Sequence, residues 1–261
     1  MARGQGKSGR CASLIGVSFA AVQRFAEVVQ RDDDDIELDV AALLIGAWDH
    51  QDLDVARYRA KLDEIAAQAA AAIDASASGG ADRPSVAARA LARTLFGELG
   101  FRGNVADYYN PRNSFLADVL DRRLGIPITL SVLYVEIARR VGVAAHGVGF
   151  PGHFLVRVDC GPTPLILDPF AGGAELDRAG LKLLHARFAR PDARLDDSTL
   201  APSPKQQILA RMLHNLGGIY GRAGDLRRSI EILEHLAVLD PSNQDLAREI
   251  QRLRGQSRHL N

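Results

Sequence analysis

His153 and Asp168 are the residues in this 261-residue chain whose types and placing could do acid–base chemistry. Residues 153–159 and 165–167 alternate apolar and polar with a period of two, which predicts two short strands. Gly161-Pro162-Thr163-Pro164 supplies a turn between them, so the strands should pair antiparallel and bring the imidazole near the carboxylate. An imidazole oriented by a carboxylate is the base half of a nucleophilic triad. The same two residues would also serve as a satisfied polar pair with no chemistry.

A triad needs a nucleophile. Thr129 and Ser131 carry hydroxyls in the first turns of a helix expected to start at Pro127. Helical hydroxyls more often bond to the backbone or cap it than attack a substrate. Cys11 and Cys160 are the two cysteines. Neither begins a helix facing His153, where the helix N-terminus would lower a thiol pKa. Asn110, Arg112 and Asn113 could line a cleft, with the planar Arg112 fork taking a carboxylate or a peptide backbone. They could equally form a loop held by its own hydrogen bonds. His146 lies one strand away from His153, but no third ligand accompanies them, so no metal site is expected.

The elements that must position these groups can be read in order. Phe19, Val22, Phe25, Ala26 and Val29 recur at helical spacing. Four acids at 32–35 read as a solvated turn before a helix over 36–48, because calcium-ligand spacing and a loop glycine are absent. Residues 55–73 form an alanine-rich helix with Tyr58, Leu62, Ile65 and Ala69 on one face. A loop at 76–84 leads to a helix over 86–99 with Gly100 as its C-cap. Asn113 or Ser114 is placed to cap a helix running through Leu124 and stopped by Gly125. Pro127 suits the first turn of the next helix, whose apolar face is Leu130, Leu133, Tyr134, Ile137, Ala138 and Val141. A first strand over 143–150 precedes the two carrying the His/Asp pair, Phe154 and Phe170 read as core, and residues 175–188 return to helix.

Residues 191–204 are polar and proline-bearing, a linker signature. Beyond them, 206–220 and 226–239 form a helical hairpin, with a further helix at 246–253. Leu216, Gly217, Tyr220, Gly224, Leu233 and Pro241 sit at tetratricopeptide spacing, although Ser229 and Leu236 replace the usual alanines. One repeat cannot stand alone, so the hairpin reads as a buttress or as a peptide-binding surface.

Composition excludes some classes. Basic and acidic residues balance at 32 each, which gives no sign of a nucleic-acid or membrane-surface binder. Two cysteines in unrelated contexts support neither a disulfide framework nor a cysteine metal site. No apolar run approaches a membrane span. Residues 1–10 are basic and 12–22 moderately apolar, but Ser13, Gly16 and Ser18 interrupt any signal-peptide pattern. A disordered tail over 1–16 is the expectation.

The central runs together resemble a known family. Asn110-Pro-Arg-Asn-Ser-Phe, Gly125-Ile-Pro-Ile-Thr-Leu-Ser, Pro151-Gly-His-Phe-Leu-Val-Arg and Asp168-Pro-Phe are similar to the bacterial SirB-type transglutaminase-like family. The resemblance spans roughly residues 17–250 and is dense only in the centre. It implies a papain-like core in which a helix N-terminus carries a nucleophilic cysteine, the next strand the histidine and the following strand the aspartate. Catalytic members resemble Gly-x-Cys at that helix; here Gly125-Ile126-Pro127 stands there, and proline has no nucleophile.

The sequence therefore predicts an α+β fold: a helical N-terminal subdomain, a degenerate transglutaminase-like core with a small antiparallel sheet, and a tetratricopeptide-like hairpin. The expected boundaries are a tail at 1–16, the main domain at 17–190, a linker at 191–205 and the hairpin at 206–255. The expected function is a non-catalytic, cytoplasmic regulatory or interaction module that binds a protein or peptide, without cofactor, nucleic acid or membrane. One alternative is an amide hydrolase or acyltransferase with Thr129 or Ser131 as nucleophile. Another is a scaffold that binds only through the hairpin.

Overall fold

The computed structural model describes residues 20–50, 52–76, 83–188 and 195–259. The expected tail, with Cys11, lies outside them, as do residues 77–82 of the expected loop and 191–194 of the expected linker. The chain divides into two compact units, Met1–Val55 with Leu209–Asn261, and Ala56–Ile208. The units divide after Val55 and after Ile208.

The first unit is helical. Helix α1 covers 20–29, a 3-10 turn Asp33–Asp35, and α2 Leu38–Leu44. The acidic run forms the solvated turn expected of it, with Asp32, Asp34 and Asp35 exposed. Helix α2 ends short of residue 48 because Gly46 N and Ala47 N bond three residues back, to Leu43 O and Leu44 O, and tighten the chain into turns. From the C-terminal half come α8 (Lys205–Ala223), α9 (Leu226–Leu239) and α10 (Gln244–His259). Gly224, at φ +68°, makes the α8–α9 turn, and Asp225 caps α9 by accepting from Arg228 N at 3.0 Å. Two segments far apart in sequence join here through side chains. Phe25 packs on His235 with ring centroids 5.0 Å apart, Trp48 meets Tyr220 edge-on, and Arg228 Nη2 donates to Asp49 Oδ1 at 2.6 Å.

The second unit is α+β. Helices α3 (Val55–Ser76) and α4 (Arg83–Ala92) come first, and α4 runs into a π-helical turn, Arg93–Glu98. Strand β1 (Arg102–Gly103) follows, then a 3-10 turn Pro111–Asn113, α5 (Leu116–Arg122) and β2 (Leu124–Gly125). The buried helix α6 spans Pro127–Arg140. Strands β3 (Ala145–Val148), β4 (Leu155–Val158), β5 (Leu165–Asp168) and β6 (Ala174–Glu175) form one antiparallel sheet in that order. Helix α7 (Arg178–Phe188) completes the unit. Val148, Phe150, Leu155, Ile166 and Leu181 make a core between this sheet and α7.

Three local expectations change. Helix α5 stops at Arg122 because Arg123 adopts φ +60° as its left-handed cap; Leu124 and Gly125 are thereby freed to pair in parallel with β1. Its N-cap is Phe115, with no side-chain bond, so neither Asn113 nor Ser114 fills that role. Helix α7 starts at Arg178, three residues later than expected, because Ala174 and Glu175 pair with β5. Among the described residues no helix is long and apolar enough to cross a membrane.

Candidate functional site

Asp168, the last residue of β5, is fixed from two sides. Its Oδ1 accepts from Phe170 N at 3.0 Å and Ala171 N at 3.2 Å, capping the 3-10 turn Pro169–Ala171. Both of its carboxylate oxygens lie 3.0 Å from His153 Nε2. His153 is not on a strand as expected; it sits two residues before β4, in a turn closed by His153 N donating to Phe150 O at 3.1 Å. Gly152, at φ +63°, allows that turn, because a side chain there would be strained. The imidazole thus reaches across from the turn to the end of the neighbouring strand. In the neutral ring this bond favours the proton on Nε2 and leaves Nδ1 as the basic nitrogen. Both residues are buried.

Two rings hold the imidazole in place. Phe188, at the end of α7, stacks on it with centroids 6.2 Å apart and planes 9° apart. Phe170 meets it edge-on at 6.1 Å. Phe170 is half-buried and belongs to the site, a correction to its reading as core; Phe154 is core, as expected. Phe188 was legible only as the end of a helix, since its contact with His153 joins residues 35 positions apart in sequence.

The hydroxyls proposed as nucleophiles have other partners. Thr129 Oγ1 donates to Asn113 O at 2.7 Å, lies 3.1 Å from Ile126 O and accepts from Ile126 N at 3.1 Å, the return half of a capping box. Ser131 Oγ stands 3.5 Å from Phe154 O, close to the histidine in the chain. Pro127 is the first residue of α6 and is buried there. Asn110 caps the 3-10 turn by accepting from Arg112 N and donates to Asp107 Oδ2 at 2.8 Å. Arg112 Nε donates to Asp118 Oδ1 at 2.6 Å. Asn113 is fully buried, donating to Asp107 O and accepting from Asn104 Nδ2 and Arg122 Nη1. These three residues therefore build a self-bonded loop that packs against the start of α6. His146 pairs with Asp159 at 3.3 Å rather than with His153. Among the described residues no group of three or more histidine, cysteine or acidic side chains is placed to hold a metal ion.

This α+β arrangement coincides with a family match: the profile of the transglutaminase-like superfamily matches residues 56–214. The chain belongs to that superfamily. The match nearly coincides with the second compact unit, Ala56–Ile208. The transglutaminase-like chain is 40% identical over 163 residues to a UPF0162 protein of Xylella fastidiosa, covering 61% of this chain and 58% of the relative. It is 32% identical over 183 residues to a UPF0162 protein of Pseudomonas aeruginosa, covering 69% and 64%. It is also 47% identical over 81 residues to human F-box only protein 21, which is 31% of this chain and 13% of that protein. The chain thus spans less than two thirds of the length of these curated relatives. No solved structure matches it.

Proposed function

We propose that this transglutaminase-like protein is a non-catalytic SirB-type module that holds an extended segment of a partner protein across the His153/Asp168 pair. One observation supports this reading most: the oriented base is present, while the position that resembles the family's cysteine is the buried Pro127 at the start of α6. The Thr129 hydroxyl, the nearest alternative in that helix, is engaged by the backbone of Ile126 and Asn113. In this reading Asp168 keeps the imidazole in one orientation and the pair orders the cleft. The hairpin α8–α9, with its partial tetratricopeptide spacing, acts as a structural element. The protein needs no cofactor and works in the cytoplasm.

The test is an amide-turnover assay with wild-type protein and His153→Ala, read as ammonia or amine release from a panel of peptides. The expected result is no release that depends on His153. Release that His153→Ala abolishes, and that Ser131→Ala or Thr129→Val also lowers, overturns the reading in favour of a hydroxyl-nucleophile hydrolase or acyltransferase. Binding of an extended peptide with affinity reduced in His153→Ala supports the module.

A further inference from the structure

A segment held across His153 and Asp168 has to touch groups that are closed off: 8% of the His153 surface and 6% of the Asp168 surface meet solvent. Nothing can reach the imidazole while its surroundings stay as they are, so one of the groups around it must move. Asp168 is held by two backbone N–H groups. Phe170 sits on the turn those bonds make, with Gly103 tight against its ring. Phe188 is the third neighbour, and it is fastened differently.

Helix α7 is anchored through its first two turns. Asp177 Oδ1 caps the start by accepting from Gly180 N at 2.7 Å. Leu181 is buried in the core, Leu184 packs against it, and His185 is buried edge-on against Phe150 at 5.9 Å. The last turn has no such hold. Ala186 and Arg187 are exposed, and Phe188 is 44% exposed. Phe188 is kept down by the backbone of Gly152 and by the imidazole. A methyl group on Gly152 would stand 2.5 Å from Phe188 Cβ and 2.7 Å from Cγ, so the missing side chain is the notch in which Phe188 lies. From there the ring runs parallel to His153, with planes 9° apart. The end of a helix leaves its last carbonyls without helical partners, and a turn with few buried contacts opens at low cost.

We propose that residues 186–188 are a lid on the His153/Asp168 pair. Phe188 in the Gly152 notch closes the pair, and fraying of this one turn after His185 opens it to a partner. The proposal rests on the cleft-binding reading above and supplies its regulation: the site inhibits itself, and its apparent affinity is set by the fraction of chains with the turn open.

The test is the rate at which diethyl pyrocarbonate modifies His153 in the full chain, resolved from the other histidines by peptide mass spectrometry. Phe188→Ala should react about tenfold faster than wild type, because modification of a covered ring follows the population of its open form and an aromatic contact is worth about that factor. Phe188→Tyr keeps the ring and should keep the wild-type rate. Leu183→Ala, which removes an exposed side chain from the same helix, should keep it too. The buried His185 and His235 should react alike in all four proteins. An unchanged His153 rate in Phe188→Ala overturns the lid. So does a rise that Leu183→Ala or the two buried histidines share, which would mean a loosened helix or chain. Peptide binding separates the lid from the cleft: an extended peptide that needs His153 and binds more tightly to Phe188→Ala supports both, whereas one that needs His153 and binds Phe188→Ala no better than wild type overturns the lid and leaves the cleft reading standing.

Discussion

Gly103 lies so close beneath Phe170 that a methyl group on its α-carbon would stand 2.6 Å from two carbons of the ring and 2.8 Å from the Phe170 carbonyl oxygen. Neither neighbour can give way cheaply. The ring packs edge-on against His153 and Tyr108, and the backbone belongs to the turn that Asp168 caps. The parallel bridge of β1 to β2 brings Gly103 to this place. Gly103→Ala should cost about 1–3 kcal/mol, the usual scale for overpacking, read as a lower urea midpoint. It should also shift the NMR signals of the His153 ring. Gly221→Ala is the contrast, because nothing lies within 4 Å of its added methyl and it sits inside α8. That substitution should stabilise by up to ~1 kcal/mol. Equal effects of the two substitutions would refute this close packing of Gly103 against Phe170.

Thr129 is expected to matter for stability rather than chemistry. Its hydroxyl links the start of α6 to Asn113 O and Ile126 N. Thr129→Val keeps the shape and loses those bonds, so it should cost ~1–2 kcal/mol, as capping losses do. Thr129→Ser should recover most of that loss. Thermal unfolding of the three proteins decides the matter; an unchanged midpoint in Thr129→Val would contradict it.

Glu136 is buried on α6 and takes bonds from Arg139 and Arg140, and the Arg140 side chain is itself nearly buried. Arg140 also reaches the exposed Asp63 at 2.8 Å. Glu136→Ala leaves the Arg140 charge with less compensation, at a cost of about 3 kcal/mol. Replacing both partners with apolar residues, Glu136→Met with Arg140→Leu, should cost much less than the single change. A denaturant titration of the single and double variants tests this.

Stability of the chain should also fall in acid through His235. Burial pushes this imidazole down to about 4 from its ordinary 6.5, and its Nδ1 donates to Glu231 O at 2.8 Å. The neutral ring is the folded form. Below pH 6.5 the unfolded chain takes up a proton that the folded chain refuses until near pH 4. The contribution is therefore complete above 6.5 and is lost as pH falls across that window, on the order of 3 kcal/mol in all. His235→Leu should flatten the stability profile between pH 6.5 and 4. A profile with the same slope as wild type would exclude this origin.

Much of the local structure could be read directly from the residues. The period-two runs around Leu155 and Leu165, the turn at Gly161–Pro164 and the apolar face of α6 specify their elements through side-chain spacing and turn chemistry, which act between near neighbours. The His153/Asp168 pairing was legible for the same reason: one hairpin connects the two residues. Pro127 at a helix start needed only its own fixed backbone to be placed.

Other features depended on contacts between distant residues. Local composition permits a helix through Leu124, and only pairing with Arg102 and Gly103 draws Leu124 and Gly125 into a strand. Phe188 and Tyr108 carry no local mark of belonging near His153; Phe188 stacks on that ring and Tyr108 meets Phe170 because α7 and the loop before residue 110 pack around one sheet end. The first helices share a unit with α8–α10 through Phe25, Trp48 and Asp49, whose partners lie far along the chain. Sequence period determined which faces were apolar. Which apolar face met which was decided by burial of those faces in three dimensions, where the energy depends on shape and not on separation along the chain.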